Sequence, residues 1–234
     1  MREEELSDVY AYPDGLAAPY VRVNGIMALD GAVAVHGVSG PLGSRSDRAV
    51  YDELRQLADV VVVGSGTVRS EQYGTVRLPP ELRERRMRRC GNEAPPLAII
   101  TARADLDPLS PVFSGASAAP LVITTESAPA WRRRRLQDAG AVLLIAGQER
   151  VELSVALGSL KRRGLIKVLC EGGPRVLAQL VDEGLVDELC LTLSPHLVGG
   201  ATSLLAGAAG GFRAMRLDGL LTDSGFLFAR YRRA

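Results

Sequence analysis

Val60-Val61-Val62-Val63-Gly64-Ser65-Gly66-Thr67 settles the fold class of this chain. Four consecutive β-branched residues give a strand that is apolar on both faces. Such a strand belongs inside a sheet covered by helices, most often a parallel one. Immediately upstream, residues 46–57 read as a helix: Ser46 is placed to cap it, Asp47 sits in its first turn, and Val50, Leu54 and Leu57 share one face. Before that lie a first strand, residues 21–29, closed by the turn pair Asp30-Gly31, and a loop rich in glycine and serine, residues 37–44.

Downstream the unit repeats. Residues 97–101, 121–125, 141–146, 165–170 and 186–193 are short apolar strands, and residues 130–139, 151–162 and 174–182 read as helices between them. The tail changes character: 215–221 and 226–231, joined through Asp223-Ser224-Gly225, predict an antiparallel hairpin. Alternating strands and helices predict an α/β layer structure whose sheet is mixed, mostly parallel, with the hairpin at its end. The first twenty residues are polar, contain Pro13, Gly15 and Pro19, and read as a loosely packed arm (1–20) before one domain (21–234). Residues 79–96, bounded by proline pairs, read as a polar excursion.

Composition narrows function. The chain has 234 residues, 47% of them hydrophobic, enough for a sizeable core and too many for disorder. With 28 basic and 27 acidic side chains the net charge is +1, so no global field favours nucleic acid or an anionic membrane. The arginine clusters 83–89 and 132–135 lack interleaved aromatics and read as solvated faces. Cys90, Cys170 and Cys190 lie far apart, and His36 and His196 are singletons, so neither a zinc spacing nor a nucleophilic triad is expected. No apolar run approaches the roughly 20 residues of a membrane span, and the acidic start lacks signal-peptide order; the expected compartment is the cytoplasm.

Two glycine turns follow buried strands: Gly64-Ser65-Gly66-Thr67, and Glu171-Gly172-Gly173-Pro174, which opens a helix. Both stand at carboxyl ends of strands, where ligands bind in open α/β sheets. Glycine lets backbone amides approach a phosphate, and a helix beginning at Pro174 directs its positive end toward that anion. Ordinary strand-to-helix turns would look the same. Neither turn matches the dinucleotide fingerprint or the P-loop. Glu171 suits an N–H-rich or cationic ligand group better than a phosphate, or else caps its own turn. Asp30 is a turn residue first and a site residue second.

Taken in order, Met27-Ala28-Leu29-Asp30-Gly31, Gly37-Val38-Ser39-Gly40, Leu54-Arg55, the 58–68 segment, Cys170-Glu171-Gly172-Gly173-Pro174, Leu185-Val186-Asp187-Glu188-Leu189 and Ser194 to Gly200 resemble the reductase domain of bacterial riboflavin biosynthesis. That resemblance, from about residue 21 onward, implies a dihydrofolate-reductase-like fold and an NADPH-dependent reductase of a ribosylaminopyrimidine phosphate of the 5-amino-6-(5-phosphoribosylamino)uracil type. Hydride would pass to the ribose anomeric carbon, with the cofactor supplying it and the protein supplying position.

The resemblance implies catalytic roles for Glu171 and Asp30. It places Asn24, Ser39, Arg55, Arg77 and Glu171 at the substrate, with the arginines on its phosphate and Glu171 on the pyrimidine N–H edge. It places Met27, Ala28, Gly64, Gly66, Thr67, Glu71, Gly172, Gly173, Pro174 and Arg175 at the cofactor, with Thr101 and Arg103 near its 2′-phosphate; no metal is implied. A homodimer is implied as well. Three positions depart from the family pattern: Asn24 for a lysine, Pro41 for an aromatic residue, and Glu71 for an aspartate. The deaminase half fused to many relatives is absent from this sequence. The altered pocket leaves room for a dihydropterin or dihydrofolate substrate on the same fold, or for a nucleotide-binding module without catalysis.

Overall fold

The computed structural model describes residues 3–115, 118–199, 203–211 and 213–234. Met1 and Arg2 of the arm and Gly200 of the 194–200 motif lie outside them. The architecture is the expected α/β layer with a nine-stranded mixed sheet in the order β5-β4-β3-β2-β6-β1-β7-β9-β8. Strand β1 (Tyr20–Ala28) is followed by helix α2 (Arg45–Leu57) and then by β2 (Val60–Gly64), with α1 (Glu3–Val9) preceding them all. Helix α3 (Ser65–Ser70), helix α4 (Pro80–Cys90), β3 (Leu97–Ile100), β4 (Leu121–Thr124), α5 (Ala130–Asp138) and β5 (Val142–Ile145) carry the chain to one edge of the sheet.

The chain then returns. Helix α6 (Leu153–Lys161) leads to β6 (Lys167–Cys170), which enters between β2 and β1 and pairs in parallel with both. Helix α7 (Pro174–Asp182) and β7 (Glu188–Ser194) follow, and β7 pairs in parallel with β1 on its other side. The hairpin β8 (Met215–Asp223) and β9 (Phe226–Arg233) closes the sheet, with β9 antiparallel to β7. Val60 to Val63 are all buried, as a strand covered on both faces requires. One core cluster, including Leu54, Val61, Val63 and Leu169, lies on the α2 side; the other, including Val60, Val62, Leu160 and Leu177, lies beneath α6 and α7. Among the described residues, no helix is long and apolar enough to cross a membrane.

Three local expectations are corrected. The arm is not loose: α1 and the residues after it bury Leu6, Tyr10 and Tyr12 in the main core. Only those few apolar residues mark it, too few to show a helical period. The 79–96 excursion is helix α4, and Arg86 within it is buried, donating to the carbonyls of Gln56 (2.7 Å) and Ala58 (2.6 Å). This side chain caps the carboxyl end of α2 rather than facing solvent. Helix α2 is capped by Ser44, whose Oγ accepts from the Asp47 amide at 3.1 Å; Ser46 donates instead to Asp223.

Beneath the arm, Arg22 is fully buried, ion-paired with Glu188 at 2.7 Å and covered by the Tyr12 ring 3.9 Å away. Tyr20 donates to the other Glu188 oxygen at 2.9 Å. Removing one partner of a buried pair strands the other charge. The variant Glu188→Ala is therefore expected to lose about 3–5 kcal/mol of unfolding free energy in urea. A loss below about 1 kcal/mol would show that the buried pair contributes no more than an exposed one.

Candidate active site

The three central strands end side by side, and their carboxyl ends build the site. β1 runs toward the 29–43 loop, β2 into the α3 turn, and β6 into Glu171-Gly172-Gly173. Asp59 ties the opposite ends together, its Oδ2 accepting from the amides of Ile166 (3.0 Å) and Lys167 (2.8 Å). Between the strand ends, the 33–44 segment and the exit of α3 lies a cleft of about 760 Å³. Asn24, Ser39, Arg55, Thr67, Glu71, Glu171, Gly172, Gly173 and Pro174 line it, so the structure brings together nine expected site residues from six segments.

Glu171 is the most constrained of them. Arg55 grips it as a fork, Nε donating to Oε1 at 2.6 Å and a terminal nitrogen to Oε2 at 2.7 Å. Tyr51 and Tyr73 donate to Oε2 at 3.1 and 2.8 Å. The Arg55 guanidinium lies 4.0 Å from the Tyr51 ring centre and 5.8 Å from that of Tyr73. The pair is nearly dry, with side chains 8% and 3% exposed. Oε2 is fully subscribed, whereas Oε1 takes one donor and keeps accepting capacity. Burial alone would lower the Arg55 pKa; the Glu171 carboxylate more than offsets it, so the guanidinium stays charged. Burial first, and Glu171 second, raise the Tyr51 and Tyr73 phenols above their ordinary range.

The glycine turn has the form of a cradle. The Gly64 amide donates to the Gly172 carbonyl at 2.8 Å, pinning the turn to β2. A Cβ on Gly172 would meet nothing within 4 Å, but on Gly173 it would stand 2.3 Å from Thr67 Oγ1. Bare backbone between Thr67 and the start of α7 fits an anionic diphosphate, which needs amide donors and a helix amino terminus. Gly64 itself is a packing residue: a Cβ there would stand 3.0 Å from Val176.

Other expected residues stand elsewhere. Asp30 is outside the cleft; its Oδ2 accepts from the amides of Val198 (2.9 Å) and Gly199 (2.6 Å), and Oδ1 from Ala32. Those amides hold its carboxyl below the usual carboxylate range. It is a clamp between two loops. Ala28 is buried beneath Leu42, while Met27, Gly66, Arg77 and Arg175 do not line the cleft. The Thr101 hydroxyl is taken by Asp105 at 2.6 Å, and Arg103 is exposed; neither lines the cleft. Glu71 does line it, but its Oε1 accepts the Ser39 amide at 2.8 Å, tying the 33–44 segment to the opposite wall.

Sequence reading missed Tyr51, Tyr73 and Arg48, all of which line the cleft. The signal available was the α2 spacing: Arg48, Tyr51 and Arg55 recur every three or four residues and share a face. Burial pushes the Cys170 thiol up to about 12, so it offers no thiolate nucleophile. Among the described residues, no group of His, Cys, Asp and Glu could hold a metal ion.

A mostly parallel sheet with a carboxylate and a diglycine turn at its central crevice places the chain in the class of α/β domains whose ligand sites lie at the carboxyl ends of the strands. The model of the RibD C-terminal domain matches residues 19–225, and the chain belongs to that family of reductase domains with a dihydrofolate-reductase-like fold. It is 32% identical over 186 residues to the 2,5-diamino-6-ribosylamino-4(3H)-pyrimidinone 5′-phosphate reductase of Archaeoglobus fulgidus, covering 79% of this chain and 84% of that one. The enzyme of the same name from Methanothermobacter thermautotrophicus is 31% identical over 183 residues, covering 78% of this chain and 80% of that one. Among solved structures, a pyrimidine reductase-like protein from Corynebacterium diphtheriae is 31% identical, with a TM-score of 0.86 over 98% of both chains.

Because the protonated phenols of Tyr51 and Tyr73 are favoured by the fold, their contribution to stability is complete below pH 10.0 and is lost as pH rises through their raised folded values. A spectrophotometric alkaline titration should therefore show late-ionising tyrosines, fewer by two in a Tyr51→Phe, Tyr73→Phe double variant. An unchanged late amplitude would mean that these phenols are not sheltered.

Proposed function

We propose that the chain is an NADPH-dependent reductase of a ribosylaminopyrimidine 5′-phosphate in riboflavin biosynthesis. The observation that carries this reading is the buried Glu171 carboxylate, held in the cleft by three donor side chains, next to the bare Gly172-Gly173 turn. Family membership and relatives named for this activity support it. In this reading residues 21–234 form one reductase domain with the 1–20 arm packed on it, working as a cytoplasmic homodimer.

Gly172, Gly173, Thr67 and the amino end of α7 would hold the cofactor's diphosphate, and the neighbouring cleft its nicotinamide. When bound, the cofactor supplies a hydride. The residues of this chain contribute position and electrostatics. The open accepting direction of Glu171 Oε1 suits an amino or ring N–H of the pyrimidine, so a 2-amino ring as in the relatives' substrate matches it better than a 2-oxo ring. Fixed by Arg55 and the two phenols, that carboxylate needs no reorganisation on binding. The Glu71–Ser39 contact keeps the 33–44 segment against the far wall.

A second reading is favoured by one observation. Arg55, expected to meet a phosphate, is committed to Glu171, and Asn24 brings no charge, so the inner cleft suits an uncharged N–H-rich ring. A dihydropterin or dihydrofolate has such a ring.

NADPH oxidation measured with each substrate type separates the readings, and turnover of the ribosylaminopyrimidine phosphate is expected; turnover of dihydrofolate alone would remove the first. Gly173→Ala, which drives a Cβ into Thr67 Oγ1, is expected to raise the NADPH dissociation constant at least about tenfold by fluorescence titration. Glu171→Ala is expected to lower kcat/KM for substrate by about 10²-fold with the cofactor constant little changed. Equal loss of both would make Glu171 a support of the turn alone.

A further inference from the structure

Two arginines are found among the described residues lining the cleft, Arg48 and Arg55, against the carboxylates of Asp47, Glu71 and Glu171. Arg55 is spent on Glu171 and is 8% exposed. Arg77, the other arginine expected at a phosphate, is exposed and outside the cleft. Arg48 differs from both. Its Nε donates to Asp52 at 3.2 Å, its guanidinium lies 5.0 Å from the Tyr51 ring centre, and its side chain is 64% exposed at the cleft. Its two terminal nitrogens meet no hydrogen-bonding partner among the described residues.

We propose that Arg48 is the residue that receives the phosphate of the substrate and sets the preference for a phosphorylated over a dephosphorylated one. This rests on the reductase reading above. Asp52 holds the guanidinium at Nε beside the Tyr51 ring and leaves the two terminal nitrogens free to take two phosphate oxygens. Partial exposure means that a phosphate meets the fork without full loss of water, so less desolvation has to be offset. Gly43 and the capping Ser44 also line the cleft, which turns the positive end of the thirteen-residue helix α2 toward the same mouth. Asp47 in that first turn opposes an anion only when ionised, and its burial pushes its carboxyl above the usual carboxylate range. Phosphate and ring then bind about two turns apart on one helix face, Arg48 taking the first and Arg55, through Glu171, the second.

The test compares steady-state NADPH oxidation by the parent and by Arg48→Met, each with a ribosylaminopyrimidine carrying or lacking its 5′-phosphate. The parent should prefer the phosphorylated compound. In Arg48→Met its KM is expected to rise about 10–100-fold, so that the preference collapses toward unity. Arg48→Lys should restore part of the preference as a point charge. An NADPH dissociation constant equal to the parent's shows that the variant is folded, which exposure of Arg48 favours. A preference unchanged in Arg48→Met, or lost in Arg77→Met instead, overturns the proposal. A parent that reduces neither compound sinks the reductase reading, and this inference with it.

Discussion

Strand β6 is made late, after β2 to β5 have carried the chain to one edge of the sheet, yet it occupies the slot between β2 and β1. The four-residue Lys167-Val168-Leu169-Cys170 fills that slot, pairing with Tyr20–Val23 of β1 on one side and Val60–Val62 of β2 on the other. The fit is fixed at one end by Asp59, which accepts the amides of Ile166 and Lys167, and at the other by the Gly64 amide on Gly172. Everything at the site follows from this insertion. It carries Glu171 to the face of α2, more than a hundred residues earlier in the chain, and sets the diglycine turn against Thr67.

Once delivered, Glu171 and Arg55 form a nearly dry ion pair, an arrangement that gains little net stability because both charges give up water. Its physical result is orientation. Two forked contacts and two phenols leave the carboxylate a single direction in which to accept, and fix it before any ligand arrives. The same commitment removes Arg55 from the free cations of the cleft. Charge available to a ligand is thereby shifted outward along α2.

Much of this was legible in the sequence, for identifiable reasons. The unbroken Val60 to Val63 run and the glycines behind it specify a covered strand and its exit turn locally, and Glu171-Gly172-Gly173-Pro174 does the same for β6 and α7. Helix α4 and the arm were harder. Their apolar residues are few, and what holds Arg86 is a set of backbone carbonyls at the end of another helix, which no local pattern announces. Asp30 reads as a turn residue first, with a site role only through the resemblance; the fold shows its carboxylate accepting the amides of Val198 and Gly199. Arg55 and Glu171 were both found, but their pairing was not, since an ion pair across 116 positions is a tertiary fact.

The two halves of the cleft are built from different materials, and they constrain evolution differently. The cradle is backbone: its shape depends on the absence of side chains at Gly172 and Gly173, so it tolerates almost no substitution and almost any neighbour. The opposite wall is a single helical face of side chains, where the exposed Arg48 can be exchanged without disturbing the sheet, while Tyr51 and Arg55 are bound to Glu171. If the turn holds a dinucleotide as proposed, a fold arranged this way would keep it while the second ligand drifts. Of the departures from the family pattern, Asn24 lies on β1 and Glu71 at the exit of α3; both line the cleft outside the diglycine turn itself. On the proposed reading, α2 and the 33–44 segment would discriminate the molecule reduced, and the turn after β6 the reductant.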